Sequence, residues 1–167
     1  MRVRLALRDD AEAIRRIYNA EIQAVEPTTF DIVPRSPEQQ LEWLDQHQGA
    51  HPAVVALDRN SGGAERVVGF GSLSPYRSRP AYATSVENSV YVDRDHRGEG
   101  IGRALLEELL VLASSHGFHT VVARVVGRNE ASIALHRSCG FELVGVEREI
   151  GRKHGRWLDV VALQRML

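Results

Sequence analysis

Cysteine is almost missing from this chain. Cys139 is the single one, so no disulfide can close within it and no thiolate set exists for structural zinc. The seven histidines are scattered, neither H-E-x-x-H nor C-x-x-C spacing occurs, and no metal site is expected. Charge of one sign is equally scarce. A net charge of -1 gives no concentrated basic surface, so no nucleic-acid partner is expected. No apolar run approaches the roughly 20 residues that span a bilayer, and no membrane partner is expected. "MRVRLALRDD" lacks the apolar core of a signal peptide, and a cytoplasmic location is the expectation.

What is there suits one soluble domain over residues 1–167, with 43% hydrophobic and 26% charged residues. "VRLAL" (Val3 to Leu7) reads as a first strand. A helix follows, with Asp9 as its cap and Glu12 three residues on, burying Ile14, Ile17, Tyr18 and Ile22. "EPTTFDIVPR" reads as a loop. Ser36 and Pro37 then open a second helix that turns Leu41 and Leu44 inward. "PAVVAL" and "RVVGFGSLSPY" read as a hairpin around "RNSGGAE", and "YRSRPAYAT" as a polar-aromatic loop. "SVENSVYV" is a strand, "IGRALLEELL" a helix and "GFHTVVARVV" a strand. Another helix is capped by Asn129 and closed by Gly140. "FELVGVEREI" and "RWLDVVALQRML" read as two strands around the turn "GRKHG". The order β-α-α-β-β-β-α-β-α-β-β has too many hairpins for a doubly wound parallel sheet. It predicts an α+β fold: a mixed, mostly antiparallel twisted sheet of about seven strands flanked by four helices, with one crossover around the leucine-rich helix.

The stretch "HRGEGIGRALLEELL" puts glycine at 98, 100 and 102 between a strand and a helix start. Free N–H groups and the helix dipole favour an anion there, and glycines let it approach the amides. Spacing narrows the choice. A dinucleotide fingerprint would need glycine at 103, where Arg103 stands, and the phosphate loop G-x-x-x-x-G-K-[ST] has no match. What remains is R-x-x-G-x-G from Arg97 through Gly100 to Gly102.

That pattern, with its strand and helix, resembles the acetyl-CoA pyrophosphate motif of the GCN5-related N-acetyltransferases. "NEASIALHRSCGF" (Asn129 to Phe141) resembles a second signature of the same superfamily. "PYRSRPAY", "VENSVYV", "LHRSCGF", "KHGRWLDV" and "IYN" make the chain similar to the branch acting on phosphinothricin, methionine sulfone and methionine sulfoximine. The resemblance implies the fold of that family, acetyl-CoA as co-substrate, a small-molecule amine acceptor and a homodimer built through the C-terminal strands.

It also implies residue roles. Val90, Tyr91 and Val92 would lend backbone groups to the pantetheine arm, with a bulge splaying the neighbouring strands. The amides of Gly98, Glu99, Gly100, Ile101, Gly102 and Arg103 would hold the pyrophosphate, with Arg97 and Arg103 adding charge. Asn129 would cap its helix and, with Ser132, face the cofactor. Glu87 would be the general base, acting directly or through a water. His136 shares a helix face with Asn129, Ser132 and Ile133; it would protonate the leaving thiolate or help deprotonate the amine. For the acceptor, Arg77 and Arg79 would grip an anionic group, with Ser78, Asn88 and Ser89 nearby. Phe30, Tyr76, Tyr82 and Trp157 would form walls. Ala83 departs from the arginine of some sulfone-type members. Arg124, charged within "VVARVV", is expected to line the cleft or pair with a carboxylate. Cys139 is expected to be packed, leaving direct transfer without an acetyl-enzyme. The rivals are acetylation of a protein N-terminus or lysine, and a non-catalytic acyl-CoA sensor, which would need neither Glu87 nor His136.

Overall fold

A computed structural model describes residues 1–59, 65–127 and 129–167. The strands are β1 (Arg2–Leu5), β2 (Ala53–Arg59), β3 (Glu65–Pro75), β4 (Ser85–Val92), β5 (Thr120–Val126), β6 (Glu142–Lys153) and β7 (Arg156–Met166). The α-helices are α1 (Ala11–Ile22), α2 (Pro37–Gln46), α3 (Ile101–Ser115) and α4 (Glu130–Ser138). They follow one another in the expected order. The turn expected over 59–65 lies for the most part outside the described residues.

The strands form one sheet in the order β1-β2-β3-β4-β5-β7-β6. All neighbours are antiparallel except β4 and β5, which α3 connects because parallel strands need a long crossover. Two apolar layers cover the sheet. On one face α3 and α4 bury Leu105, Leu106, Leu109 and Cys139 against Val86, Val121, Ala123 and Val125. On the other, Ile14, Ile17, Tyr18 and Ile22 of α1 and Leu44 of α2 pack on Val55, Val67 and Phe70. Phe70, Tyr18 and Tyr91 meet ring to ring, with centroids 5.1–6.3 Å apart.

Three local expectations change. Asp10, not Asp9, precedes α1, and its buried carboxylate turns inward: it accepts from both Arg4 guanidinium nitrogens (2.6 and 3.0 Å) and from the Leu7 amide (2.7 Å). Glu12 pairs instead with Arg15 at 2.7 Å. The "GRKHG" turn shrinks to His154 and Gly155, both at positive φ (50° and 75°), because β6 continues through Lys153. A two-residue turn of that hand matches the twist of a hairpin. Ser36 does cap α2, accepting from the Gln39 amide at 3.2 Å while the Gln39 side chain returns the bond.

Candidate active site

β4 positions the site. It pairs with β5 only over Ser85–Asn88, then the two strands part, leaving Ser89–Val92 without a partner on that side. Pairing with β3 meanwhile runs in unbroken register from Pro75↔Val86 to Gly69↔Val92. The expected bulge is therefore absent, and the splay comes from the ladder simply ending after Asn88. Between the strands lies a cleft of about 510 Å³, lined by Asn88–Val92, Ala123–Val126, Arg97, Gly98, Gly100–Gly102, Asn129, Ser132 and His136.

The glycine loop closes one end. Gly98 (φ 84°) and Gly100 (φ 81°) hold the left-handed conformation that costs other residues ~1–2 kcal/mol, and Gly100 caps α3. A Cβ on either would meet nothing within 4 Å, so the space above these amides is open. Open amides at a helix start, beside a strand edge with unmade hydrogen bonds, fit a pyrophosphate followed by an amide-bearing arm.

Two expected contributors sit outside the cleft lining. Glu99 faces His96 at 3.4 Å, and Arg103 pairs along the helix with Glu107 at 2.8 Å. Arg97 lines the cleft, but its guanidinium is tied to Glu21 at 2.7 Å. Glu21 is the residue that sequence reasoning missed. Its carboxylate, 3% exposed, accepts from Arg97, from Arg94 (3.1 Å) and from the Thr28 hydroxyl (2.8 Å). It sits on the inner face of α1 among isoleucines, where the pattern read as core; only a charge within that apolar stripe hinted at it.

Alternation along β4 sends Glu87 and Asn88 to opposite faces. Asn88, expected with the acceptor, is buried on the α4 side, where its Nδ2 donates to the Val122 carbonyl (3.1 Å). Its Oδ1 lies 3.0 Å from His136 Nε2, and His136 Nδ1 lies 2.8 Å from the Ser132 carbonyl. Both ring nitrogens thus face acceptors. A neutral ring donates to only one of them, while burial holds its pKa below the ordinary value. Asn129 spends its Oδ1 on the Ser132 amide (3.1 Å) as the cap of α4.

Glu87 is half-buried on the α1 side of the sheet. Burial pushes its carboxyl pKa up, Arg124 draws it back and Glu147 adds to the rise. Arg124 does both things expected of it, lining the cleft and pairing with Glu147.

The acceptor candidates divide into two groups. Tyr76 and Tyr82 meet edge-on at 5.4 Å with the Arg77 guanidinium 5.1 and 5.7 Å from their rings, in the loop before β4 that also carries Ser78 and Arg79. Phe30 lies elsewhere, against the β6–β7 hairpin: a Cβ on Gly151 would stand 1.8 Å from its ring, so only glycine leaves it room. Beside it, buried Lys153 donates to the carbonyls of Thr29 (3.1 Å) and Asp31 (2.6 Å), and Tyr18 donates to the Asp31 carboxylate (2.6 Å). The Phe30 loop is thereby pinned to the hairpin, a link between residues far apart in sequence. Trp157 is mostly exposed and stacks with Arg152 across the hairpin at 5.4 Å. Among the described residues no cluster of histidine, cysteine or carboxylates could hold a metal, and no helix is long and apolar enough to cross a membrane.

The sequence model of the Acetyltransferase (GNAT) family matches residues 11–141. The chain is 38% identical over 169 residues to the phosphinothricin N-acetyltransferase of Streptomyces coelicolor, covering 100% of this chain and 96% of that one. Its fold superposes on a GNAT phosphinothricin acetyltransferase from Sinorhizobium meliloti in complex with acetyl-CoA (TM-score 0.89, 39% identity, 99% and 88% of the two chains). It superposes equally on a ribosomal-protein-alanine N-acetyltransferase from Brucella melitensis (TM-score 0.92, 36% identity, 100% of both chains). Strand splay, glycine loop and these likenesses converge: the chain belongs to the GNAT family and is an N-acetyltransferase with acetyl-CoA as its co-substrate.

Proposed function

We propose that the chain acetylates the amino group of a small amino-acid-like acceptor, of the phosphinothricin, methionine sulfone or methionine sulfoximine type, by direct transfer in a ternary complex. The observation that carries this reading is Glu87: a half-buried carboxylate with a raised pKa, on the strand whose free edge borders the cleft. Acetyl-CoA, when bound, supplies an activated acyl group. The amides at Gly98 and Gly100 and the dipole of α3 favour its phosphates, and the free edge of Ser89–Val92 offers hydrogen bonds to its arm.

An amine must lose a proton before it attacks, and α-amino groups hold theirs up to a pH of about 8. Glu87 accepts it, and its raised pKa, the result of burial, narrows the gap to the amine. His136 acts by position in this reading: with Nε2 on Asn88 and Nδ1 on Ser132, it fixes the floor of the splay rather than exchanging protons. Direct transfer is supported by the burial of Cys139 in the α3–α4 layer, outside the lining of the cleft. Homodimerisation belongs to the same proposal. β6 is an edge strand whose Leu143, Val144, Val146 and Ile150 are each more than half exposed, an apolar row that a second copy would cover.

A second reading, acetylation of a protein N-terminus, draws support from the likeness to the Brucella enzyme. Free-thiol release with a panel of acceptors separates the two. The panel holds phosphinothricin, methionine sulfone, methionine sulfoximine and a peptide with an N-terminal alanine. Turnover of the small amino acids is the expected result; turnover of the peptide alone would overturn the first reading.

A further inference from the structure

A guanidinium in the middle of a central strand needs a partner and a reason. Arg124 stands in β5, flanked by β4 on one side and β7 on the other. Val121, Ala123 and Val125 are buried in the α3–α4 layer, so alternation places Arg124 on the opposite face, the face of Glu87. Glu87 registers with Val122, so Arg124 lies two residues further along β5 on the same face, near enough for its charge to act on the Glu87 carboxyl. The last registered pair is Asn88↔Ala123, so Arg124 is the first β5 residue past the parting of the strands. It therefore stands at the end of the cleft nearest the base.

Its present partner does not exhaust it. Arg124 reaches over β7 to Glu147 on β6, and its side chain keeps 30% of its surface exposed while lining the cleft. A guanidinium has five N–H donors and can serve a second carboxylate alongside the first. One face thus carries a carboxylate base and, diagonally across from it, a cation held in place by a third residue. An α-amino acid offers the complementary pair, an ammonium and a carboxylate on the same carbon.

From this juxtaposition we infer that Arg124 binds the α-carboxylate of the acceptor and so turns its amine toward Glu87. The assignment rests on the small-acceptor reading above and adds its specificity determinant: a free α-carboxylate next to the amine that is acetylated. Arg77, whose guanidinium lies against the rings of Tyr76 and Tyr82, is left for the distal end of the acceptor.

The experiment compares methionine sulfone with its descarboxy analogue, 3-(methylsulfonyl)propylamine, for the parent enzyme and for Arg124→Leu, Arg124→Lys and Glu147→Gln. Arg124→Leu should raise KM for methionine sulfone by about 10- to 100-fold, the worth of one hydrogen bond to a charged group, and leave KM for the analogue unchanged. Arg124→Lys should fall between. Glu147→Gln, which keeps the guanidinium and removes its competitor, should not raise KM for the amino acid. The charged groups that face Glu87 are Arg124 from β5 and Glu147 from β6. With the analogue as acceptor, Arg124→Leu should therefore shift the acid limb of kcat/KM to higher pH and Glu147→Gln should shift it lower. Equal losses with both acceptors, an unchanged KM for methionine sulfone, or a Glu147→Gln loss matching that of Arg124→Leu would overturn the assignment. If the parent enzyme turns over the alanine peptide and no free amino acid, the small-acceptor reading falls first and this one with it.

Discussion

Along the upper half of β4 the cleft offers a ligand main chain: the free edge of Ser89–Val92 and the open amides of Gly98 and Gly100. The Glu87 face offers side chains instead, drawn from β4, β5, β6 and two distant loops. The donor half depends on backbone conformation, which a few glycines at fixed spacing dictate. The acceptor half depends on where long polar side chains end up after strands from opposite ends of the sequence come together. Mutations should reveal the same division.

The largest expected effect is Glu87→Gln. It should lower kcat by about 10²- to 10⁴-fold, the range for a general base, with the acetyl-CoA Kd unchanged by titration calorimetry. Comparable losses in both would join the two halves of the site and remove the base. The parent enzyme's kcat/KM should fall on acidification at a pH above the ordinary glutamate value of about 4.3, because burial raises the Glu87 pKa, and that limb should vanish in the variant. The same shift bears on stability. A carboxyl whose folded pKa is raised contributes stability at low pH that is lost as pH rises through that pKa. Glu87→Gln should therefore melt no lower than the parent at neutral pH.

Next in size is Gly100→Ala. The left-handed φ of 81° makes a side chain cost ~1–2 kcal/mol, read as a Tm lower by about 2–8 °C. Acetyl-CoA affinity should weaken while acceptor KM at saturating cofactor stays put. Gly151→Ala should do the reverse. Its Cβ would displace Phe30 at a cost of about 1 kcal/mol, raising acceptor KM and leaving acetyl-CoA Kd alone. A change in cofactor affinity there would show that the Phe30 loop reports to the donor cleft, a route that Glu21 offers through Thr28 and Arg97. The smallest effect belongs to Cys139→Ala: turnover should be unchanged, whereas its loss would bring back an acetyl-enzyme.

Most elements could be read from pattern because each apolar face has its own period. Ile14, Ile17, Tyr18 and Ile22 declare α1, and Ser36-Pro37 declares the start of α2. Pattern says least where a polar side chain has a tertiary use. Asp10 turned from capping to hold Arg4, and Arg97 was drawn to Glu21. Asn88 went under α4 to meet His136 because β4 alternates, which turns its neighbour Glu87 to the opposite face.

By itself, then, the sequence determined the donor half: strand, R-x-x-G-x-G and helix are contiguous, and local backbone geometry follows from local residue types. The tertiary structure alone decided the rest. It ended the β4–β5 ladder after Asn88, drew Arg124 toward Glu147 across β7, set Phe30 on Gly151 and bound Lys153 to the Thr29 and Asp31 carbonyls. Each of these contacts joins residues distant in the chain. Their partners are fixed by strand order and register, which no local pattern encodes.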